Sequence, residues 1–204
     1  MTTESIVLPV TKSADIMVVE MRAGDDWKLL CDEENPKSVK KWREETGGRR
    51  VINAGFFDER FSPVGFVHTA KKTWGNIKNH PAMLWSDGKK YMLTNNEEFR
   101  KKIDTLPPDV WVTSGFPVLV WDKKTIFERE TKKYARRTGV LEKNGHLFLY
   151  VSVRGEPSLH ELAIFLQSFG AEKALNLDGG TSTGFSSDFR EVPSFPVPCV
   201  LVQY

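Results

Sequence analysis

Cysteine is scarce in this 204-residue chain: there are two, Cys31 and Cys199, far apart in sequence. A disulfide-stapled scaffold needs more, so the expected setting is a reducing compartment. Histidine is nearly as sparse. His68, His80, His146 and His160 make four, and none stands at metal-ligand spacing with another His or Cys. The sequence therefore calls for no metal and no cofactor. Charge of one sign is missing too: 29 basic and 27 acidic side chains leave a net charge of +2. That balance gives no strong field for nucleic acid or an anionic membrane. No apolar run approaches the roughly 18 residues that span a bilayer. The first ten residues, Met1 to Val10, lack both a basic n-region and a long apolar h-region. No secretory leader is evident, and a cytoplasmic protein is expected.

What the chain does contain is ordinary for a globular protein, with 40% hydrophobic and 27% charged residues. No linker-like stretch and no repeat interrupts it. The expectation is one α+β domain over residues 1–204, with a mixed sheet of many short strands and two or three packed helices. Ile6 to Val10 and Asp15 to Met21 read as strands. Asn35 as cap and Pro36 in the first turn predict a helix start, with Gly47–Gly48 as its stop. Arg50 to Ala54 is a short strand, and Ala82 to Trp85 with Tyr91 to Thr94 is a hairpin about Ser86–Lys89. A short helix over Glu97 to Ile103 ends before Pro107–Pro108. Val110 to Thr113, Pro117 to Trp121 and Leu147 to Val153 are strands. Ser158 and Glu161 form a capping box. It opens a helix whose apolar positions are Leu159, Leu162, Ala163, Leu166 and Phe169, and Gly170 closes it. Ala174 to Leu177 and Val200 to Val202 complete the strands.

The densest chemistry lies in Asn176–Leu177–Asp178–Gly179–Gly180–Thr181–Ser182–Thr183. A strand presents Asn176 and Asp178 to one side, since alternate residues face alike. Gly179 and Gly180 let the backbone turn and let a ligand approach its N–H groups. Thr181, Ser182 and Thr183 then crowd three hydroxyls together. A carboxylate, bare amides and hydroxyls at one strand end suit a sugar or phosphoryl oxygen. Asp-Gly is equally a common hairpin turn, so the local sequence admits both readings. Asn53–Ala54–Gly55–Phe56–Phe57–Asp58 repeats the pattern of a strand end, a permissive glycine and a carboxylate. Adjacent aromatics usually pack, however, and Asn53 and Asp58 also serve as turn formers. Ser114–Gly115–Phe116–Pro117 places another glycine at a strand junction. Arg136–Arg137–Thr138–Gly139 supplies cations suited to a phosphate, or simply a solvated loop.

Taken in order, these segments resemble the phosphodiester glycosidase family. The resemblance rests on Asn53, Gly55, Phe56, Phe57 and Asp58, then Pro63 and Gly65. It continues with Gly115, Pro117, Leu119, Arg137 and Thr138, then Glu161, Leu162 and Ala163. Its last block is Ala174 through Gly180 with Ser182 and Thr183. It spans about Arg50 to the C-terminus, and Gly170 to Gly180 is its most specific piece. Thr181 stands where the family has a third glycine, Gly139 follows Arg137–Thr138 at once, and Gly184–Phe185 replaces an apolar pair. Many relatives are secreted or lumenal, so a small form without a leader points to a bacterial or phage product.

The resemblance implies hydrolysis of the sugar C1–O bond in a glycosyl phosphodiester, or in a related sugar-phosphate or nucleotide conjugate. Such reactions pass through an oxocarbenium-like state that a carboxylate near C1 supports. Asp178 is the first candidate, Asp58 the second carboxylate, and Arg137 the cation that neutralises the departing phosphate. Substrate contacts are expected from Asn53, Gly55, Phe57, Ser114, Gly115, Arg136, Thr138, Asn176, Gly179, Gly180, Thr181, Ser182 and Thr183. His68 and Trp74 are further pocket candidates. Two other readings fit the same residues. One is a non-catalytic protein that sequesters a nucleotide or glycosyl phosphate. The other is a metal-dependent phosphodiesterase with an ion between Asp58 and Asp178, which the absence of His ligands disfavours.

Overall fold

The computed structural model describes residues 5–103, 110–127 and 132–204. A hairpin opens the chain, β1 (Ile6–Thr11) against β2 (Ala14–Met21). β2 is buried along most of its length because it pairs on both sides, with β1 and with β13 (His146–Arg154). The same sheet takes in β10 (Val118–Trp121), β11 (Lys124–Thr125), β12 (Thr138–Lys143) and β14 (Lys173–Asn176). Its order is β1-β2-β13-β12-β14-β10-β11. One face is covered by α3 (Leu159–Ser168), whose Leu162, Ala163 and Leu166 pack on Ile16, Leu119, Leu141, Tyr150 and Ala174. The capping box forms as the sequence predicts: Glu161 N–H donates to Ser158 Oγ and Ser158 N–H donates to Glu161 Oε2, at 3.2 and 2.8 Å. A cap of this kind stabilises a helix by about 1 kcal/mol.

The other face meets two further sheets. One has β15 (Phe185–Ser187), β4 (Arg50–Asn53) and β17 (Cys199–Gln203) between the edge strands β16 (Glu191–Val192) and β3 (Trp27–Cys31). The other runs β6-β5-β9-β7-β8, from Thr73–Trp74 through Val67–His68, Trp111–Gly115 and Ala82–Ser86 to Tyr91–Asn95. A shared core joins Met17, Leu149 and Leu175 of the first sheet to Ile52 and Leu201 of the second and Val67, Leu84 and Trp111 of the third. Helix α1 (Val39–Thr46) seats Val39 and Trp42 on Val51, Val200 and Val202. The short α2 (Asn96–Arg100) seats Phe99 on Met83 and Trp85.

Among the described residues every strand pairing is antiparallel, so the expected mixed sheet is corrected to three antiparallel sheets in a mainly β structure with three helices. The first helix starts later than Asn35–Pro36 predicts. Ser38 is its cap, accepting from Lys41 N–H at 3.3 Å, while Lys37 is engaged in a bridge to Val197. Gly47 ends that helix in the left-handed region, as expected. Pro107–Pro108 lie outside the described residues. No described helix is long and apolar enough to cross a membrane. Cys31 and Cys199 face one another in the β3–β17 ladder and are bonded. The two cysteines are therefore a bridge, and the cysteine argument for a reducing compartment loses its premise.

Candidate active site

The ends of β4, β9 and β14 and the start of β12 converge on Asp178. Asn53, 1% exposed, is the hub. Its Nδ2 donates to Asp178 O at 2.8 Å, and its Oδ1 accepts from Thr138 Oγ1 and Gly184 N–H at 2.8 and 3.0 Å. Asp178 N–H donates to Ala54 O at 3.2 Å. Leu177 N–H donates to Thr138 O and Gly180 N–H to Arg136 O, which carries the β12–β14 ladder into the turn. On the remaining side Phe116 N–H donates to Asn176 O, and Asn176 Nδ2 donates to Phe116 O at 3.0 Å and Leu177 O at 2.7 Å. The end of β4 holds the Asp178 backbone on both sides, through Asn53 and Ala54, while β12 and the segment after β9 hold its neighbours Leu177 and Asn176.

Close backbone approach makes this convergence work. A Cβ on Gly115 would lie 2.5 Å from Asn176 O, and one on Gly179 would lie 2.8 Å from Arg136 O. Either would force the strand ends apart. The amides of Gly179 and Gly180 are not bare, which corrects the sequence expectation. Gly179 N–H donates to Asp178 Oδ1 at 2.9 Å and Gly180 N–H is taken by Arg136 O.

The Asp178 carboxyl is mostly buried, and burial pushes its pKa from 3.8 up to about 6. The Ser182 hydroxyl and the Gly179 amide pull the other way. Desolvation wins because, among the described residues, these two donors alone replace lost water. On the same segment, Asn176 Oδ1 and Thr183 Oγ1 are buried with no hydrogen-bond partner among the described residues. Buried polar atoms are normally satisfied, so these two stand ready for a ligand or water. Thr181 is exposed, and its carbonyl accepts from Phe195 N–H at 2.9 Å.

Other expected residues go elsewhere. Asp58 is exposed, and its Oδ1 accepts from Arg60 and Ser62 N–H at 2.9 and 3.0 Å, so it caps its own loop. Arg137 is 8% exposed and forms no ion pair with Asp178. Its Nε and Nη2 donate to Pro157 O and Lys133 O at 3.1 and 2.8 Å, and burial holds its pKa below the ordinary arginine value. It ties the segment before β12 to the loop before α3. Arg136 meets the turn through its carbonyl, which accepts from Gly180 N–H, and its Nη1 donates to Pro193 O at 2.8 Å. Phe57 stacks on Phe61 at 5.5 Å, and Gly55 packs beneath Thr113 Oγ1. His68 Nδ1 lies 2.7 Å from Thr73 Oγ1 within its own hairpin. Trp74 Nε1 donates to Glu33 Oε2 at 2.8 Å, where Glu33 also gathers Ser62 and Lys72.

The sequence reading missed His80. Its Nδ1 lies 2.8 Å from Ser114 Oγ, which also accepts from Phe66 N–H at 2.9 Å. Burial lowers the imidazole pKa, against its contact with Ser114, so the ring is neutral at pH 7. No spacing pattern in the sequence pairs position 80 with position 114; only the loop preceding β7 does. Among the described residues no three His, Cys, Asp or Glu side chains are placed to hold a metal ion.

The fold has solved counterparts. The zebrafish N-acetylglucosamine-1-phosphodiester alpha-N-acetylglucosaminidase catalytic domain, auto-inhibited by its pro-peptide, superposes with a TM-score of 0.75 at 17% identity. That match covers 100% of this chain and 84% of the zebrafish one. A hypothetical protein from Synechocystis gives 0.70 at 14% identity over 98% of this chain, which spans 61% of the Synechocystis chain. A Burkholderia pseudomallei protein gives 0.59 at 10% identity, covering 93% of this chain and 74% of the other. No curated protein matches the chain. Residues 47–201, which hold all four converging segments, match the family model directly, and the chain belongs to the phosphodiester glycosidase family.

Proposed function

We propose that this chain hydrolyses the bond between a sugar C1 and a phosphate oxygen, in a glycosyl phosphodiester or a related sugar-phosphate or nucleotide conjugate. The observation that carries this reading is Asp178: a buried carboxyl with a pKa near 6, held where four strand segments meet. At pH 7 most copies are ionised. A carboxylate there stabilises the positive charge that grows at C1 as the C–O bond breaks. It also accepts a proton from the attacking water, a role that a pKa near the working pH favours. Water oxygen bonds to C1, the C1–O electron pair leaves with the phosphate, and the water proton passes to Asp178. The phosphate departs as an anion and needs little acid assistance. Arg136, whose carbonyl is bonded to Gly180 of the turn, is assigned to that anion. Asn176 Oδ1 and Thr183 Oγ1, both without partners, are assigned to sugar hydroxyls.

The test is hydrolysis in water enriched in heavy oxygen, over a panel of glycosyl phosphodiesters and nucleotide sugars. Label in the released sugar supports C1–O cleavage. Label in the phosphate replaces the reading with a phosphodiesterase. Tight binding of the panel with no turnover by the wild type replaces it with a sequestering protein.

A further inference from the structure

We infer that Phe116 is a stacking platform for a nucleobase, carried by a nucleoside that is joined to the sugar through the scissile phosphate. The inference rests on the reading of the Asp178 site given above, and it names the far end of that site's substrate.

Phe116 lies between β9 and β10, flanked by chain that is largely buried, yet its own side chain is 55% exposed. Its backbone is fixed to Asn176 by two hydrogen bonds, which places it beside the turn that carries Asp178. One side of the ring is taken by His80, with centroids 6.3 Å apart and planes 25° from parallel. His80 is itself held on two sides: Ser114 Oγ lies against its Nδ1, and Phe56 meets it edge-on at 5.7 Å and 79°. Behind it, a Cβ on Gly65 would fall 2.4 Å from both His80 Nδ1 and Ser114 Oγ. Gly65, at φ 90°, thereby keeps the imidazole in its slot.

An exposed phenyl ring is thus mounted on a rigid, neutral aromatic base at the rim of the site. Leaving such a ring in water forgoes burial that a flat ligand would restore. Stacking of a base on an aromatic side chain is worth about 1–3 kcal/mol. The neighbours favour a base over a second sugar. The ring stack is aromatic throughout, Phe116 on His80 and His80 on Phe56, and the His80 Nδ1 is already engaged by Ser114 Oγ. A sugar would need several placed hydrogen-bond partners.

Binding tests this without relying on turnover. AMP, UMP and methyl phosphate are titrated calorimetrically against wild type, Phe116→Ala and Phe116→Trp. The nucleotides are expected to bind about tenfold more tightly than methyl phosphate. Phe116→Ala removes that advantage and leaves methyl phosphate binding unchanged, while Phe116→Trp retains it. Because Phe116 is exposed, both variants should melt within a few degrees of wild type. Equal affinity for nucleotides and methyl phosphate, no binding of either, or an advantage that survives Phe116→Ala would overturn the inference. Hydrolysis of a methyl-capped glycosyl phosphodiester without nucleotide preference sinks the platform alone. Phe116-dependent nucleotide binding without hydrolysis of any phosphodiester sinks the proposed activity alone.

Discussion

Asp178 and Asp58 each follow a short strand near a glycine, and in sequence they look like a pair. Asp58 is exposed and spends its carboxylate on the N–H groups of Arg60 and Ser62, two and four residues on. Asp178 is held through its backbone by Asn53 and Ala54, more than a hundred residues earlier in the chain, and its carboxylate has lost most of its water. A local loop can cap itself with a carboxylate, but it cannot desolvate one. Desolvation takes several segments closing around the group, and here β4, β9, β12 and β14 do so. The contrast between the two aspartates therefore separates a turn former from a chemically poised group more sharply than sequence does.

The strongest way to break this comparison is kinetic. Asp178→Asn should lower kcat/KM on a glycosyl phosphodiester by about 10²–10⁴-fold, the usual range for loss of a positioned acid or base. Asp58→Asn should change it by less than about threefold, and the reverse ordering would collapse the distinction. Next in size is Asn53→Ala, which strands Asp178 O, Thr138 Oγ1 and the Gly184 amide. Its cost in urea unfolding should be about 3 kcal/mol, at 1–3 kcal/mol for each buried group left unpaired.

A third prediction concerns Asp178 and pH. In the unfolded chain its carboxyl titrates near 3.8 and in the folded protein near 6, so the folded state holds the proton more tightly. The ionised form therefore costs stability above pH 6, and that cost disappears below about 4. Asp178→Asn should raise stability at pH 8 by about 1–2 kcal/mol, below the ceiling of roughly 3 that the shift allows. The gain should vanish by pH 4 in paired denaturation curves. The smallest effect is expected from Asp58→Asn, whose amide oxygen can still accept both N–H groups. It should alter stability by less than about 0.5 kcal/mol at either pH.

Much of the fold was legible because its signals are local. The Ser158–Glu161 box, the Gly47 stop and the hairpin between β7 and β8 all depend on residues a few positions apart. β12 was not. Thr138 to Leu141 are all buried, so no alternation marks the strand, and the preceding arginines read as a loop. β3 was missed as well; it is short, and its exposure is uneven along one edge of its sheet. The site was half legible. Asn53, Asn176, Asp178 and Thr138 come together through hydrogen bonds that no spacing rule encodes. Arg137 turns away to the carbonyls of Pro157 and Lys133, since a buried guanidinium takes whatever acceptors close around it. His80 enters only through contacts with Ser114, Phe56 and Phe116, each from a different segment.

The proposed chemistry depends on the ionisation of one carboxyl, Asp178. The direct measurement is the pH dependence of kcat/KM beside a carbon-13 NMR titration of the Asp178 carboxyl in the same protein. Activity is expected to rise from acid pH to a plateau with an inflection near 6, and the carboxyl resonance to titrate at the same pH. A carboxyl that titrates near 4, or activity with no inflection between pH 5 and 7, would contradict it.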